Sequence, residues 1–292
     1  MKSGSRPLNH CIMDNQFTAD NVGKLKNIVK RNAGPAGILF LLYLAAALPL
    51  LSADFYYRDD LRRAATGFRG WEVGRYLSLL GSVILHTDTY LADISPLPQL
   101  AALVILAVSA VMLRRVIGRE RRFGFWDYAA LFPVAFFPHF LNCLSYKYDA
   151  PYMALSIGVS IAPLLFRRCR RSVYCAGVFV GTLAMCMLYQ ASSGIFPVIV
   201  AYLVMTGDPA GRSGEKKPGD GKTMTEDTAG GSGKKRRGAV NEGLAFAAWS
   251  AAFYVLAMVF FRLFIMQPLS DYVSTELAEP GALFSVLAGN YR

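Results

Sequence analysis

Long apolar stretches without charge alternate with short charged segments along this chain of 292 residues. An α-helix rises ~1.5 Å per residue, so about 20 apolar residues cross the ~30 Å hydrocarbon core of a membrane. Such stretches predict crossings at 36–53, 97–113, 123–144, 150–166 and 243–261. The uncharged stretch 173–205 is too long for one crossing, and its polar centre at 189–194 predicts a hairpin of two. The pattern therefore predicts an all-α polytopic membrane protein with about seven transmembrane helices.

The predicted crossings divide the chain into four parts. Residues 1–35 form a cytoplasmic tail and residues 36–206 a transmembrane core of six crossings. Residues 207–242 are rich in Gly, Lys, Asp, Thr and Ser, which is typical of a flexible linker, here basic and cytoplasmic. Residues 243–292 contain the seventh helix and an outer C-terminal segment.

Basic residues are concentrated on one side of the predicted crossings. Of the 31 Lys and Arg residues, 23 lie in the tail, in the loops 114–122 and 167–171, and in the linker. Cytoplasmic loops carry an excess of Lys and Arg, so the N-terminus is predicted in the cytoplasm and the alternate loops outside. We therefore predict a multi-pass protein of the inner (cytoplasmic) membrane whose alternate loops face outward.

Composition favours a lipid environment and excludes several other classes of protein. The chain is 54% hydrophobic and 17% charged, whereas soluble domains carry about 25% charged residues. The mean hydropathy is +0.33. The formal net charge of +11 is explained by the loop asymmetry, so it predicts no nucleic-acid partner. The five cysteines lack C-x-x-C spacing and predict no structural zinc site.

The first outward loop, residues 54–96, carries more charge than an outer loop normally does. Its charged residues of interest are Asp59 and Asp60, with Arg58, Arg62, Arg63 and Arg75. A carboxylate there suits deprotonation of a hydroxyl or binding of a divalent cation such as Mg²⁺ or Mn²⁺, and a guanidinium suits a phosphate leaving group. The alternative is structural, because Asp accepts from free N–H groups at a helix start and Arg contacts lipid phosphates.

The second part of this loop has apolar residues at helical spacing. They are Val73, Tyr76, Leu77, Leu80, Val83 and Ile84. This spacing predicts an amphipathic juxtamembrane helix in the outer headgroup region, anchored by Trp71 and Tyr76. His86, which follows the helix, has no role that the sequence indicates.

The other two outward loops are short and polar. Lys147 and Asp149 lie at the membrane rim after the third crossing, where they contact a substrate or pair with each other. Tyr189 and Gln190 lie in the hairpin turn, where they face a sugar or cap helix ends. The pattern of residues leaves both alternatives open.

In the order of these features the chain resembles the bacterial membrane glucosyltransferases of the Gtr type, which modify surface polysaccharides such as O-antigen. The resemblance covers about residues 36–206. It rests on an ordered set of motifs: Tyr57-Arg58-Asp59-Asp60, Arg62/Arg63, the Gly-Phe-Arg-Gly-Trp stretch at 67–71, Gly74-Arg75-Tyr76-Leu77, Asp93-Ile-Ser-Pro-Leu-Pro-Gln-Leu100, Ser145-Tyr-Lys-Tyr-Asp149 and Tyr189-Gln190-Ala191.

The resemblance implies a GT-C-like fold, a polyprenyl-phosphate-linked sugar as donor and a surface polysaccharide as acceptor. The implied reaction takes place at an active site on the outward face and is a single inverting displacement with an Asp of the first outer loop as general base. The sequence identifies no cofactor other than the divalent cation, Mg²⁺ or Mn²⁺, that the acidic pair could hold. Asp59 and Asp60 match the acidic pair, and Arg75 matches the Arg of a Gly-Arg motif. Substrate contacts are expected from Lys147, Asp149, Tyr189 and Gln190, and donor-phosphate contacts from Arg58, Arg62 and Arg63.

Two other functions are compatible with this sequence. A transporter or flippase for lipid-linked saccharides would place charged residues near the middle of several helices. The charged residues Asp127, Lys147, Asp149 and Arg262 instead lie near predicted helix ends. An inactive, truncated scaffold is the second alternative, because Gtr-type proteins usually have several more crossings and the apolar stretch 282–288 is too short to add one.

Overall fold

The computed structural model describes residues 19–71, 74–87, 90–118, 123–207 and 231–266, and every regular element in these ranges is helical. The helices are α1 (Ala19–Ala53), α2 (Asp59–Thr66), α3 (Tyr76–His86), α4 (Leu97–Ile117), α5 (Phe125–Leu131), α6 (Pro133–Phe136), α7 (Pro138–Leu144), α8 (Ala150–Ile161), α9 (Arg171–Leu188), α10 (Ile195–Met205) and α11 (Gly231–Phe260). The all-α prediction is thus confirmed for this part of the chain. The start of the predicted tail, most of the linker and the C-terminal segment lie outside the described residues.

Four helical stretches of the described chain are long and apolar enough to cross a membrane. They are Lys30–Ala53, Leu97–Ile117, Arg171–Leu188 and Asn241–Ile265. They coincide with the predicted first, second, fifth and seventh crossings. α11 begins at Gly231, inside the segment predicted as linker. The structure therefore supports a polytopic membrane protein through four candidate spans rather than seven.

The remaining predicted crossings are shorter apolar helices. The segment 123–144 is divided into α5, α6 and α7, because Pro133 and Pro138 each begin a new helix and proline cannot continue the hydrogen-bonding pattern of the previous one. α8 continues as a 3₁₀ helix, Ala162–Phe166. A 3₁₀ helix, Gln190–Gly194, also precedes α10. Each of these helices is shorter than the ~20 residues that a straight crossing requires.

The bundle is organised around α4, which packs against α1 and α8, while α9 packs against α8 and α11. Tyr43 of α1 is fully buried and donates a hydrogen bond from its hydroxyl to the carbonyl oxygen of Leu131, at 2.8 Å. Small residues such as Ala102 and Ala110 of α4 are also fully buried. Small residues let helix backbones approach closely. The resulting van der Waals contacts stabilise helix pairs that are surrounded by lipid.

The loops that were predicted to face outward meet at one end of the bundle. α1 ends there at Ala53, α4 and α8 begin there, and α9 ends there at Leu188. Arg114 lies near the opposite end of α4 and forms an ion pair with Asp127, at 2.7 Å. The Arg114–Asp127 ion pair and the loops predicted to face outward therefore lie at opposite ends of the bundle.

α3 covers the later part of the segment predicted as an amphipathic helix, whereas Val73 lies outside the described residues. Its exposed side is apolar and contains Leu80, Val83 and Ile84, whereas its buried side contains Ser78, Ser82 and His86. An apolar outer face is the arrangement expected for a helix lying against lipid. Trp71, however, is only 1% exposed. The prediction that Trp71 anchors this segment in the membrane is therefore wrong, because its indole lies inside the protein.

The contact between α8 and α9 depends on the absence of a side chain at Gly181. A Cβ atom there would lie 2.6 Å from Cγ of Pro163 and 3.1 Å from the carbonyl oxygen of Val159, whereas at Gly177 the nearest atom is 3.8 Å away. We expect Gly181→Ala to destabilise the protein by about 1–3 kcal/mol through overpacking, and Gly177→Ala to leave stability unchanged or slightly improved. Thermal unfolding in detergent checks both; equal melting temperatures would contradict the close contact.

Candidate active site

Asp149, the residue before α8, binds two arginines and a tryptophan. Its Oδ1 accepts a hydrogen bond from Nε1 of Trp71 at 2.7 Å and lies 3.0 Å from Nη2 of Arg75. Its Oδ2 accepts from Nη1 of Arg63, whose guanidinium also lies over the Trp71 ring, 4.7 Å from the centroid. Asp149 is 2% exposed. Both carboxylate oxygens are thus used within the protein, so Asp149 positions the two guanidinium groups.

Turns between α2 and α3 bring the two arginines to the same carboxylate. α2 ends at Thr66 and is capped by Gly67, which has φ +66° and donates its N–H to the carbonyl oxygen of Arg63 at 2.8 Å. Gly74, with φ +90°, turns the chain immediately before Arg75. Glycine adopts these left-handed conformations without steric cost. Arg75 then donates from Nε to the carbonyl oxygen of Leu188 at 2.7 Å, which fixes the first loop to the end of α9.

Asp60, in the first turn of α2, is fully buried. Its Oδ2 accepts a hydrogen bond from the backbone N–H of Lys147 at 2.8 Å. Its Oδ1 is buried and has no hydrogen-bond partner among the described residues. Burial raises the pKa of Asp60 to about 6, although the N–H of Lys147 and the charge of Arg63 act in the opposite direction. A carboxyl group with this pKa is suited to accept a proton near neutral pH.

Lys147 connects the beginning of the first outer loop to its end, just before α4. Its Nζ lies 2.5 Å from Oδ1 of Asp54 and 3.3 Å from Oδ2 of Asp93, and 4.3 Å from the centroid of the Tyr56 ring. Tyr56 in turn donates from its hydroxyl to Asp93 at 2.8 Å. Burial acts to lower the pKa of Lys147, but Asp54 and Asp93 hold it above its ordinary value. Its amino group is thus already bound by carboxylates of the protein.

Four of the predicted site residues lie on the surface: Arg58, Asp59, Arg62 and Gln190. Arg58 donates from Nε to the hydroxyl of Tyr57 at 3.3 Å, and the Arg62 guanidinium lies over the Phe68 ring, 5.5 Å from the centroid. Tyr189 is half-buried beneath Arg75, 5.5 Å from its guanidinium carbon. The predicted residues thus form a buried group and an exposed group, with Arg75 and Tyr189 between them.

The adjacent carboxylates of Asp59 and Asp60 have different environments, since Asp59 is exposed and Asp60 is buried. Within the described ranges, no group of three or more His, Cys, Asp or Glu side chains is arranged to hold a metal ion.

Comparison with known proteins identifies the family. The family model described as Glucosyl transferase GtrII matches residues 48–213, more than half of the chain and the whole of the site. The chain belongs to the GtrII glucosyl transferase family. This finding confirms the Gtr-type resemblance.

A similar protein is the "Uncharacterized 55.3 kDa protein in gtrB 5'region" of Salmonella phage P22. It is 29% identical to this chain over 177 residues, which is 57% of this chain and 35% of that protein. The chain thus spans about a third of the length of this relative. No solved structure matches the chain.

Sequence reasoning missed several residues of this candidate site. Trp71 was assigned to the membrane surface, and Asp54, Asp93 and Tyr56 were given no place in the site. One signal was available for the two carboxylates. A lysine at the membrane rim, such as Lys147, requires carboxylates nearby when it is buried, and both Asp residues lie next to the ends of predicted crossings.

Asp149→Asn tests whether this carboxylate organises the outer end of the bundle. Removing the charge leaves the buried Arg63 and the half-buried Arg75 without their partner, so we expect a loss of about 3–5 kcal/mol. The matched control, Asp59→Asn, changes an exposed carboxylate in the same region and should cost less than about 1 kcal/mol. Thermal unfolding of both purified variants is the measurement. Similar melting temperatures for the two would contradict the assigned role of Asp149.

Asp60→Asn tests the raised pKa of the buried carboxyl. The folded state favours protonated Asp60, so its contribution to stability is fully present below about pH 4 and is lost as the pH rises through about 6. The variant does not titrate at this position. The unfolding free energy of the variant, relative to that of the unmodified protein, should therefore rise by up to about 3 kcal/mol between pH 4 and pH 7. Melting temperatures of both proteins across this pH range measure the change. A difference that stays constant with pH would contradict this assignment.

Proposed function

We propose that this protein is a membrane glycosyltransferase that moves a sugar, glucose by analogy with its family, from a polyprenyl-phosphate donor to a surface polysaccharide. The family assignment supports glucosyl transfer. The concentration of Arg and Asp at one end of the helices supports a phosphate-linked donor, because a sugar phosphate on a lipid lies at headgroup depth. The proposed core is a GT-C-like bundle in which the shorter apolar helices complete about seven crossings, with the linker and seventh helix following it.

Asp60 is the proposed general base, and its unpartnered Oδ1 carries this proposal. Oδ1 accepts the proton of the acceptor hydroxyl while that oxygen attacks the anomeric carbon. The bond from the anomeric carbon to the donor's phosphate oxygen breaks, and the polyprenyl phosphate leaves with the electron pair. Attack opposite to the leaving group inverts the anomeric carbon. Because Asp60 is fully buried, this step requires the start of α2 to move when the acceptor binds.

The exposed arginines are the proposed contacts of the donor phosphate. Arg58 and Arg62 lie on the surface near Asp60 in sequence, and guanidinium groups form strong charge-assisted hydrogen bonds to phosphate. Arg75 and Tyr189, which are half-buried, lie between this surface and the interior and would contact the sugar. Asp59 is the proposed second carboxylate, at the aqueous edge, where it orients the acceptor or holds a divalent cation. Gln190 is a further proposed sugar contact.

The buried members of the predicted site support catalysis indirectly under this proposal. Arg63, Lys147 and Asp149 hold the loops around Asp60 and keep water out. The site is proposed to face outward from the inner membrane, with the N-terminus in the cytoplasm. The support for this topology is the distribution of Lys and Arg, because the loops that meet at the site are the ones with few basic residues apart from the arginines of the first loop.

The experiment replaces each carboxylate of the pair separately. Asp60→Asn keeps the shape of the side chain but cannot accept the proton, so we expect transfer to fall by about 10²-fold or more. Asp59→Asn should reduce transfer by a smaller factor. Transfer of labelled sugar from a polyprenyl-phosphate donor in membranes is measured, together with melting temperatures as a control for folding. Undiminished transfer by folded Asp60→Asn protein would exclude Asp60 as the base.

A transporter or flippase gives a different result in the same membranes. Movement of the lipid-linked sugar across reconstituted vesicles, without transfer to an acceptor, would contradict the proposed glycosyltransferase. A lack of both activities would favour the scaffold.

A further inference from the structure

Three buried side chains beside the Asp149 network each have one polar atom without a hydrogen-bond partner. These atoms, unpartnered in the part of the chain that the structure describes, are Nε2 of His86 and the hydroxyl oxygens of Tyr148 and Tyr152. The three residues are only 8%, 1% and 4% exposed. Leaving a buried polar group unpaired costs roughly 1–3 kcal/mol, and such groups are rare in folded proteins. Three of them between neighbouring elements indicate a site for a polar ligand.

The three residues lie along a single contact between α3 and the start of α8. The Tyr152 ring packs against Gly81, where an added Cβ would be 2.8 Å from the ring. The Tyr148 ring lies almost parallel to the His86 ring, with centroids 6.3 Å apart and an angle of 28°. The two elements therefore run antiparallel here, with the aromatic side chains of one facing the polar side of the other. We call His86, Tyr148 and Tyr152 the inner polar layer.

The hydrogen bond from His86 to Ser82 determines which ring nitrogen of His86 remains available to a ligand. Nδ1 of His86 lies 2.9 Å from the carbonyl oxygen of Ser82. A carbonyl only accepts, so Nδ1 carries the proton and Nε2 of the neutral ring is an acceptor. The hydroxyl of Ser82 accepts from Nε of Arg69 at 2.9 Å. The inner polar layer thus presents one imidazole acceptor and two hydroxyls that can both donate and accept.

These groups suit a neutral, hydroxyl-rich ligand better than an anion. The nearby Arg63 and Arg75 are already paired with Asp149, so their charges are not available to a phosphate. Sugar hydroxyls both donate and accept, and the C–H faces of a sugar ring pack well on aromatic rings. A third aromatic ring borders these groups, because the Trp71 ring meets Tyr152 edge to face, with centroids 5.3 Å apart.

We propose that the inner polar layer binds the hydroxyl groups of a hexose through Nε2 of His86 and the hydroxyls of Tyr148 and Tyr152. This inference rests on the proposed function only for the origin of the hexose, which is the sugar of the donor or of the acceptor. His86 is the last residue of α3 and is followed by the exposed Thr87. The end of α3 is therefore the proposed point of entry for the hexose.

Binding is tested with free glucose, in the absence of donor and acceptor. Trp71 is made the sole tryptophan by the substitutions Trp126→Phe and Trp249→Phe, and its fluorescence is followed as glucose is added. We expect a saturable change, with the apparent affinity reduced about tenfold or more in Tyr148→Phe and in Tyr152→Phe. No saturable change with glucose, or unchanged affinity in both variants, would overturn the proposal, as would binding of inorganic phosphate in place of glucose.

Stability provides a second and independent measurement. Each of these two variants removes an unpaired buried hydroxyl, so its melting temperature should stay the same or rise. Tyr174→Phe is the matched control, because the Tyr174 hydroxyl is hydrogen-bonded to Oγ of Ser250 at 2.7 Å. That control should lower the melting temperature and leave glucose affinity unchanged. Reduced glucose affinity in Tyr174→Phe as well would show a general loss of packing and overturn the assignment.

Failure of the proposed function is distinguishable from failure of this inference. Glucose binding does not depend on transfer, so binding without any transfer activity would contradict only the glycosyltransferase. Where transfer is observed, Tyr152→Phe shows which substrate supplies the hexose. A raised KM for the polyprenyl-linked donor identifies the donor sugar, and a raised KM for the polysaccharide identifies the acceptor.

Discussion

The burial of one carboxylate between two guanidinium groups determines the arrangement of the outer end of this protein. Asp149 holds Arg63 of α2, Arg75 at the start of α3 and the indole of Trp71 in one network. Taking such charges out of water is costly, and the cost is recovered only with close pairing and further hydrogen bonds. The elements that carry these groups must therefore come together, although two of them are too short to be stable alone.

The same network sets the chemistry of Asp60. Two arginines and Asp149 leave one positive charge in excess, and the carboxyl of Asp60 lies next to it. The positive charge of Arg63 favours the carboxylate, whereas burial and the negative charge of Asp149 favour the acid. Because burial is the largest of these effects, the pKa rises to about 6. A group balanced in this way changes its protonation state readily near neutral pH, which is the property required of a proton acceptor in transfer.

Position along the helices links this chemistry to the membrane. α3 presents Leu80, Val83 and Ile84 outward and serine and histidine side chains inward. An apolar outer side and a polar inner side are what a helix at the edge of a bilayer requires. Under the proposed function, the phosphate of the lipid-linked sugar lies at that depth, within reach of both the exposed arginines and the buried acid.

The sequence by itself determined that the chain is helical, that long apolar stretches form candidate membrane spans, and which family it belongs to. Helical rise and the hydrophobicity of each stretch are local properties, and the Asp–Asp and Gly–Arg motifs are adjacent residues. Only the tertiary structure decided which charged residues are buried. Asp59 and Asp60 are neighbours in sequence, yet one is exposed and the other is enclosed by the Lys147 backbone. From the sequence, Trp71 is predicted to anchor the segment in the membrane, whereas in the structure it donates a hydrogen bond to Asp149, 78 residues later. Pairings of this kind are set by which helix ends meet, and the hydrophobic pattern of a single segment carries no information about that.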